Sequence, residues 1–233
     1  MKVKKFLELP EFSTVEKETE PQRVKRAYRF PTAFSYPTNS PIHDRIVLEI
    51  NSFSTPTPTE EIEISSLIAD VISKDGNIDI LNELEMTSFK VTVLQPERAF
   101  CEKILALRRA SHYELDYFSS RARHLYDIHQ LMQSERIQAF LSDKSRATEL
   151  MLMAYSDDEA NQRLTETVGN DFPLSPIWST PMETIKKIES AYNALKEITF
   201  DGTIPTIEEV GQSLTNIHIA FSDLKLISLD FSS

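Results

Sequence analysis

The period of the hydrophobic positions changes near residue 95. Before it, apolar residues come in short alternating runs. Val24-Lys25-Arg26-Ala27-Tyr28-Arg29-Phe30 partly alternates and is followed by Pro31 and Pro37, which predicts a strand. Arg45-Ile46-Val47-Leu48-Glu49-Ile50 predicts a second, richer in β-branched residues. The turn-like stretch Ser35-Tyr36-Pro37-Thr38-Asn39-Ser40-Pro41 lies between them, so the two are expected to form a hairpin with a long connection. Thr55-Pro56-Thr57-Pro58-Thr59 reads as a stiff extended linker. The stretch from Ile62 to Ile72 fits two readings, a brief strand through Ile62 and Ile64 or a short helix capped by Ser65. Asp75-Gly76-Asn77 is a turn. Phe89, Val91 and Val93 alternate with Lys90 and Thr92, the pattern of a half-buried strand.

Beyond residue 95 the spacing becomes helical. Pro96 suits a first helical turn, and Phe100, Ile104 and Leu107 then recur on one face. Helices are expected near 113–133, 135–142, 144–155, 157–167, 181–198 and 206–221, with a loop from Asp171 to Pro176. The fold class is therefore α+β, with an α+β part over residues 1–95 and an α-helical part over 96–233.

Composition narrows the function classes. A chain of 233 residues with 40% hydrophobic positions can bury a real core. No run of eighteen apolar residues occurs, so no membrane span is expected, and the basic start Met1-Lys2-Val3-Lys4-Lys5 lacks the apolar stretch of a signal peptide. Cys101 is the one cysteine, which rules out a disulfide within the chain and fits a cytoplasmic setting. The net charge of -11 repels nucleic-acid phosphates in bulk. An RNA partner would need a local basic patch, and Lys103, Arg108, Arg109, Arg121 and Arg123 offer one, although a solvated helix face would look the same.

Three places carry candidate chemistry. Glu49 sits among apolar residues in a strand, either in solvent at a sheet edge or as a metal ligand or general base. Glu102 and Lys103 follow on the helix opened by Pro96. Lys103 lies about 100° from Ile104, beside the buried stripe, where a lysine either stays solvated or lays its stem on the core and aims its ammonium into a cleft. Arg121, Arg123, His124 and Asp127 share a helix whose core side is marked by Leu125, Ile128 and Met132. Arg123 and Asp127, one turn apart, would make an exposed ion pair worth roughly 0.3–0.5 kcal/mol if nothing else engages them. His124 and His129 are five apart, the wrong spacing for same-face zinc ligands, and no zinc ligand set is present.

The order of segments adds a resemblance. Leu94-Gln95-Pro96-Glu97-Arg98-Ala99-Phe100-Cys101-Glu102-Lys103 followed by Arg121-Ala122-Arg123-His124-Leu125-Tyr126-Asp127-Ile128 resembles the AbiEii/AbiGii-type nucleotidyltransferase toxins of abortive-infection systems. The likeness runs well over residues 35 to 132 and more weakly to about residue 198. It implies a nucleotidyltransferase-like sheet followed by helices. It also implies transfer of a nucleotidyl group from a nucleoside triphosphate, with Mg2+, to an RNA such as tRNA, in a bacterial cytoplasm with a cognate antitoxin. Glu49 would match the third carboxylate of the metal site. Lys103 would match a lysine on the triphosphate, with Glu102 beside it. Asp127, with Arg121, Arg123 and His124, would match the helix motif near the nucleotide, so Glu49, Lys103 and Asp127 are the expected catalytic set.

That family also places a Gly-Gly-Thr turn and an Asp-x-Asp pair ahead of these segments. Residues 1 to 45 contain no glycine. Three expectations follow: a front half on another chain, a truncated chain, or a degenerate, catalytically inactive homologue that serves as a protein-binding module. A missing sheet partner would also expose apolar surface, so self-association is expected.

Overall fold

The computed structural model describes residues 13–14, 25–29, 45–49, 55–161, 171–199 and 202–226, the first three segments by backbone alone. The architecture is α+β. Strands β1 (Ser13–Thr14), β2 (Lys25–Arg29) and β3 (Arg45–Glu49) form an antiparallel sheet in the order β1-β2-β3. The register of β2 and β3 runs from Lys25 opposite Glu49 to Arg29 opposite Arg45, so the two expected strands do pair. The turn-like segment Ser35-Tyr36-Pro37 lies outside the described residues.

A second antiparallel pair joins β4 (Thr59–Ile64) to β5 (Phe89–Leu94), with Thr59 opposite Leu94 and Ile64 opposite Phe89. Helices α1 (Leu67–Lys74) and α2 (Ile78–Glu83) lie between these strands in the chain. The two readings of Ile62 to Ile72 are both realised, strand first and helix next. The cap is Ser66 rather than Ser65, because the residue directly before Leu67 places its Oγ within reach of the Ala69 N–H, 3.0 Å away. Ser65 instead hydrogen-bonds the Asp70 carboxylate. The expected turn at Gly76 is present at φ +76, a conformation that suits a residue without Cβ. Helix α2 escaped the sequence reading, since six residues are too few to display a helical period.

The helical body starts at Pro96. Helix α3 (Pro96–Ala110) buries Phe100, Ile104 and Leu107 completely, as its spacing predicts, and packs against α5 (Ala122–Met132) and α7 (Lys144–Ala160). The single helix expected over 113–133 is two, α4 (Leu115–Ser119) and α5. Ser120 donates its hydroxyl to the Tyr117 carbonyl at 2.6 Å, taking an acceptor from the helical ladder. Helix α6 spans Glu135–Ser142 as expected.

The break expected near residue 156 does not occur, and α7 continues to Ala160. Asp157 and Asp158, expected to open a separate helix over 157–167 whose residues 162–167 lie outside the described residues, are instead held in α7 by two arginines of α3. Arg98, fully buried, bonds Asp157, and Arg109 bonds Asp158. Asp157 also accepts from the Thr55 N–H and hydroxyl, both at 2.8 Å, which pins the start of the proline-rich linker to the helical body.

The expected loop at 171–176 holds a 3-10 turn, Phe172–Leu174, followed by α8 (Pro176–Ser179), and it stacks Phe172 on Trp178 with centroids 5.1 Å apart. The helix expected over 181–198 is three pieces: α9 (Pro181–Lys186), α10 (Glu189–Asn193) and a 3-10 turn over Ala194–Glu197. At the first break Ile188 bonds back to Ile185, and this tighter i→i+3 turn ends the ladder. Helix α11 (Ile207–Ala220) opens on a capping box between Thr206 and Glu209.

One side chain joins strand to helix. Arg136 of α6 donates Nε and Nη2 to Glu97 of α3 and Nη1 and Nη2 to Glu60 of β4. Burial raises the Glu97 carboxyl, but the Arg136 hydrogen bonds outweigh it and hold that group below its ordinary value.

Candidate functional site

Helices α3 and α5 place the central pair. The buried stripe of α3 turns Lys103 to the margin of the core, and buried Leu125 and Ile128 turn Asp127 to the margin of α5. Both side chains are about a quarter exposed, and Lys103 Nζ lies 2.6 Å from Asp127 Oδ2. His124 stands one turn earlier on α5, its Nδ1 4.0 Å from the same oxygen. Burial, then the cations Lys103 and Arg121, push the imidazole down from 6.5 to about 4, against the pull of Asp127. At neutral pH the ring is uncharged, so the contact is not an ion pair, and 4.0 Å is too long for a hydrogen bond.

Asp127 also lines a cavity of about 710 Å3. One wall is α5, through Arg123, Tyr126, Asp127 and Gln130. The other is the connection into α11, through residues such as Thr199, Thr203 and Pro205. The Tyr192 hydroxyl donates to the Pro205 carbonyl at 2.9 Å and fixes that wall. Arg123 does not pair with Asp127 as the one-turn spacing suggested. Lys103 takes the carboxylate from another helix, and Arg123 stays exposed on the cavity wall, in no ion pair among the described residues.

The other candidates are distributed differently. Glu102 faces Arg98, 3.4 Å from its Nη1, and contributes to the neutralisation of that buried cation. Arg121 is the N-terminal flanking residue of α5, with its guanidinium 5.2 Å from the centroid of the Tyr117 ring. Glu49 closes β3 opposite Lys25, and its side chain is outside the described residues. The structure thus brings Lys103, His124, Asp127 and Arg123 into one neighbourhood.

The five-residue basic patch is smaller than the sequence suggested. Arg108 and Arg109 are 1% and 9% exposed and belong to the interior. Burial pushes Arg108 down to about 10, and Arg109 is committed to Asp158. Lys103, Arg121 and Arg123 remain at the surface margin. Conversely, Tyr126, Gln130, Thr199 and Thr203 enter the site unannounced, because residues about seventy apart meet only through the packing of α5 against the α10 region. Among the described residues, no group of three or more His, Cys, Asp or Glu is placed to hold a metal ion. None of the described helices is long and apolar enough to cross a membrane.

With this geometry in place, comparison with known proteins gives one match. The family model described as "Nucleotidyl transferase AbiEii toxin, Type IV TA system" matches residues 2–210. No curated protein and no solved structure matches the chain.

Proposed function

The chain belongs to the AbiEii nucleotidyltransferase toxin family of type IV toxin–antitoxin systems, and on that premise we propose that its cavity receives a nucleoside triphosphate whose nucleotidyl group passes to an RNA such as tRNA once the Gly-Gly-Thr and Asp-x-Asp motifs are supplied. The observation that carries this reading is that Asp127 and Arg123 line the cavity and Lys103 of α3 reaches it through its ion pair with Asp127. In the transfer, an acceptor hydroxyl oxygen bonds to the α-phosphorus and releases its proton to solvent, the bond from that phosphorus to the bridging oxygen of the β-phosphate breaks, and pyrophosphate leaves with the electron pair. Lys103, a compact cation with three donors, suits the β and γ phosphates, and the guanidinium of Arg123 suits bidentate contact with phosphate oxygens. Asp127 holds Lys103 in place before the triphosphate arrives. Neutral His124 offers an uncharged donor or acceptor beside them.

Magnesium is the cofactor that membership of the family implies. Asp127 is the carboxylate on the cavity wall among the described residues, and it is engaged by Lys103. The described donors do not by themselves make up a magnesium site of several carboxylates, with Glu49 as the further proposed ligand, and no step above is routed through the ion. The setting we propose is a bacterial cytoplasm, in abortive-infection defence with a cognate antitoxin.

A second reading is favoured by a separate observation. Leu67, Ile68, Val71, Leu84 and Phe89 are all more than half exposed on the β4–α1–α2–β5 unit. Apolar surface of that kind suits a non-catalytic protein-binding role or self-association. The experiment that separates the readings is titration of the full chain with a fluorescent triphosphate analogue, followed by incubation of the α-labelled triphosphate with tRNA and magnesium. Saturable binding lost in Lys103→Ala, together with label in tRNA, supports the transferase. Binding without label favours the second reading, and no saturable binding overturns the triphosphate site.

A further inference from the structure

The strongest feature outside the cavity is a shelf of aromatic and cationic side chains at the α3–α4 turn and the start of α5. Tyr113 and Tyr117 are each 39% exposed and meet edge to face, with centroids 5.3 Å apart and planes at 67°. Leu115, between them in the chain, is 51% exposed and extends the apolar edge. Arg121 lies over the Tyr117 ring at 5.2 Å. These residues come from the α3–α4 turn, from α4 and from the residue that precedes α5, and their backbones are fixed. Tyr113 bonds back to Ala110, Ser120 to Asp116 and Arg121 to Phe118.

Two facts separate this shelf from ordinary packing. Tyrosine rings that only fill a core bury themselves and hide their faces. Here both tyrosines keep more than a third of their surface in solvent, although Tyr113 is tied to the wholly buried Ala110. The protein also carries a net charge of -11, yet Arg121 meets no carboxylate in an ion pair among the described residues. Arginines of α3 that need a carboxylate have one, as Arg98 has Asp157 and Arg109 has Asp158. Arg121 rests on the Tyr117 ring and hydrogen-bonds its hydroxyl, a neutral partner that leaves the positive charge available to an anion. A partly exposed aromatic surface for a base and an adjacent guanidinium not neutralised by a carboxylate, for a phosphate, are the two requirements of single-stranded nucleic-acid recognition.

The position relative to the cavity supplies the third element. Arg121 immediately precedes α5, three residues before His124 and six before Asp127. The shelf therefore continues the same helix that forms the cavity wall, on the side of its N-terminus.

We propose that Tyr113, Tyr117 and Arg121 form a docking site for one nucleotide of a single-stranded RNA acceptor, whose base packs on the tyrosine pair and whose phosphate meets Arg121. This assignment rests on the triphosphate reading of the neighbouring cavity and names where the second substrate would lie. The site binds and positions; it takes no part in bond making.

The test uses the full chain and a fluorescein-labelled single-stranded RNA of about twelve nucleotides, a matched strand with abasic positions, and a strand carrying 2-aminopurine. Stacking on an aromatic side chain is worth about 1–3 kcal/mol per base, a five- to 150-fold change in affinity. Tyr113→Ala and Tyr117→Ala are expected to weaken the intact RNA at least five-fold, and Tyr117→Phe, which keeps the ring, to leave it within two-fold. Arg121→Gln is expected to weaken both intact and abasic strands and to flatten the salt dependence. The abasic strand should bind the wild-type chain about as weakly as the intact strand binds Tyr117→Ala. Quenching of 2-aminopurine by the wild-type chain gives a reading that no folding defect can mimic.

Equal binding of intact and abasic strands, or unquenched 2-aminopurine, overturns the shelf. The triphosphate titration is run on the same variants. If it is unchanged while RNA shows no stacking, the shelf fails and the cavity reading stands. If wild-type chain binds RNA with stacking but no triphosphate, the cavity reading fails instead. If Tyr117→Ala loses the triphosphate as well, the shelf holds the base of the triphosphate, which overturns the assignment to the acceptor.

Discussion

Lys103 of α3 and Asp127 of α5 meet with Nζ 2.6 Å from Oδ2, although twenty-four residues separate them. The pair is partly exposed, so its direct contribution to stability is small, on the order of 1 kcal/mol or less. Its proposed value lies in holding the Lys103 ammonium ready behind Asp127 of the cavity wall. Lys103→Ala is therefore expected to weaken a triphosphate analogue about ten-fold or more, while Asp127→Asn, which keeps an amide oxygen to position the ammonium but removes the competing charge, leaves affinity equal or slightly stronger. Both variants should unfold within about 1 kcal/mol of the wild-type chain. Fluorescence titration with urea unfolding in parallel checks this; equal losses of affinity in the two variants would contradict it.

His124 gives a pH signature. Its folded pKa, about 4, lies below its ordinary 6.5. Between those values the unfolded chain binds more protons than the folded one. The folded state therefore keeps its full advantage above pH 6.5 and loses it as pH falls toward 4. The loss from this residue is on the order of 2 kcal/mol. His124→Asn should flatten that part of the stability profile, measured as urea midpoints from pH 7 to pH 4. An unchanged slope would mean that the imidazole titrates normally.

Arg98 is 0% exposed and depends on Asp157, which in turn holds Thr55. Asp157→Ala leaves a buried guanidinium short of a carboxylate and is expected to cost about 3–5 kcal/mol. Replacing both, as Arg98→Met with Asp157→Leu, should recover most of that loss because the buried guanidinium goes with its carboxylate, and the partly exposed Glu102 turns to solvent. Chemical denaturation of the single and double variants decides it. A double variant no better than the single one would place the stabilising role elsewhere, in the anchoring of Thr55.

The exposed apolar face predicts association. Ile64 and Phe89 are cross-strand partners at the open end of the β4–β5 pair, and Leu67, 80% exposed, follows directly. Light scattering on the full chain should show mass rising with concentration, and Leu67→Ser with Phe89→Ser should return it to monomer. A wild-type chain that stays monomeric at high concentration removes self-association and leaves a different partner for this face.

Local pattern alone determined a good part of this molecule. The strands at 25–29, 45–49 and 89–94 and the helices at 96–110, 135–142 and 207–220 follow from alternation, helical spacing and a proline at a first turn. Those signals come from neighbours within one turn or one pleat, so they survive without knowledge of the rest. The motif around Lys103 and Asp127 was legible for the same reason, as a short run with a family likeness. Tertiary structure decided what the polar residues do. Asp157 and Asp158 read as the start of a separate helix until buried Arg98 and Arg109 claim them for α7, and Arg123 reads as the partner of Asp127 until Lys103 arrives from another helix. Arg108 and Arg109 read as surface cations but lie in the interior. Charged side chains are long and choose partners across elements, and burial sets the cost of leaving them alone. Their roles therefore depend on which helices pack together, and no window of sequence contains that information.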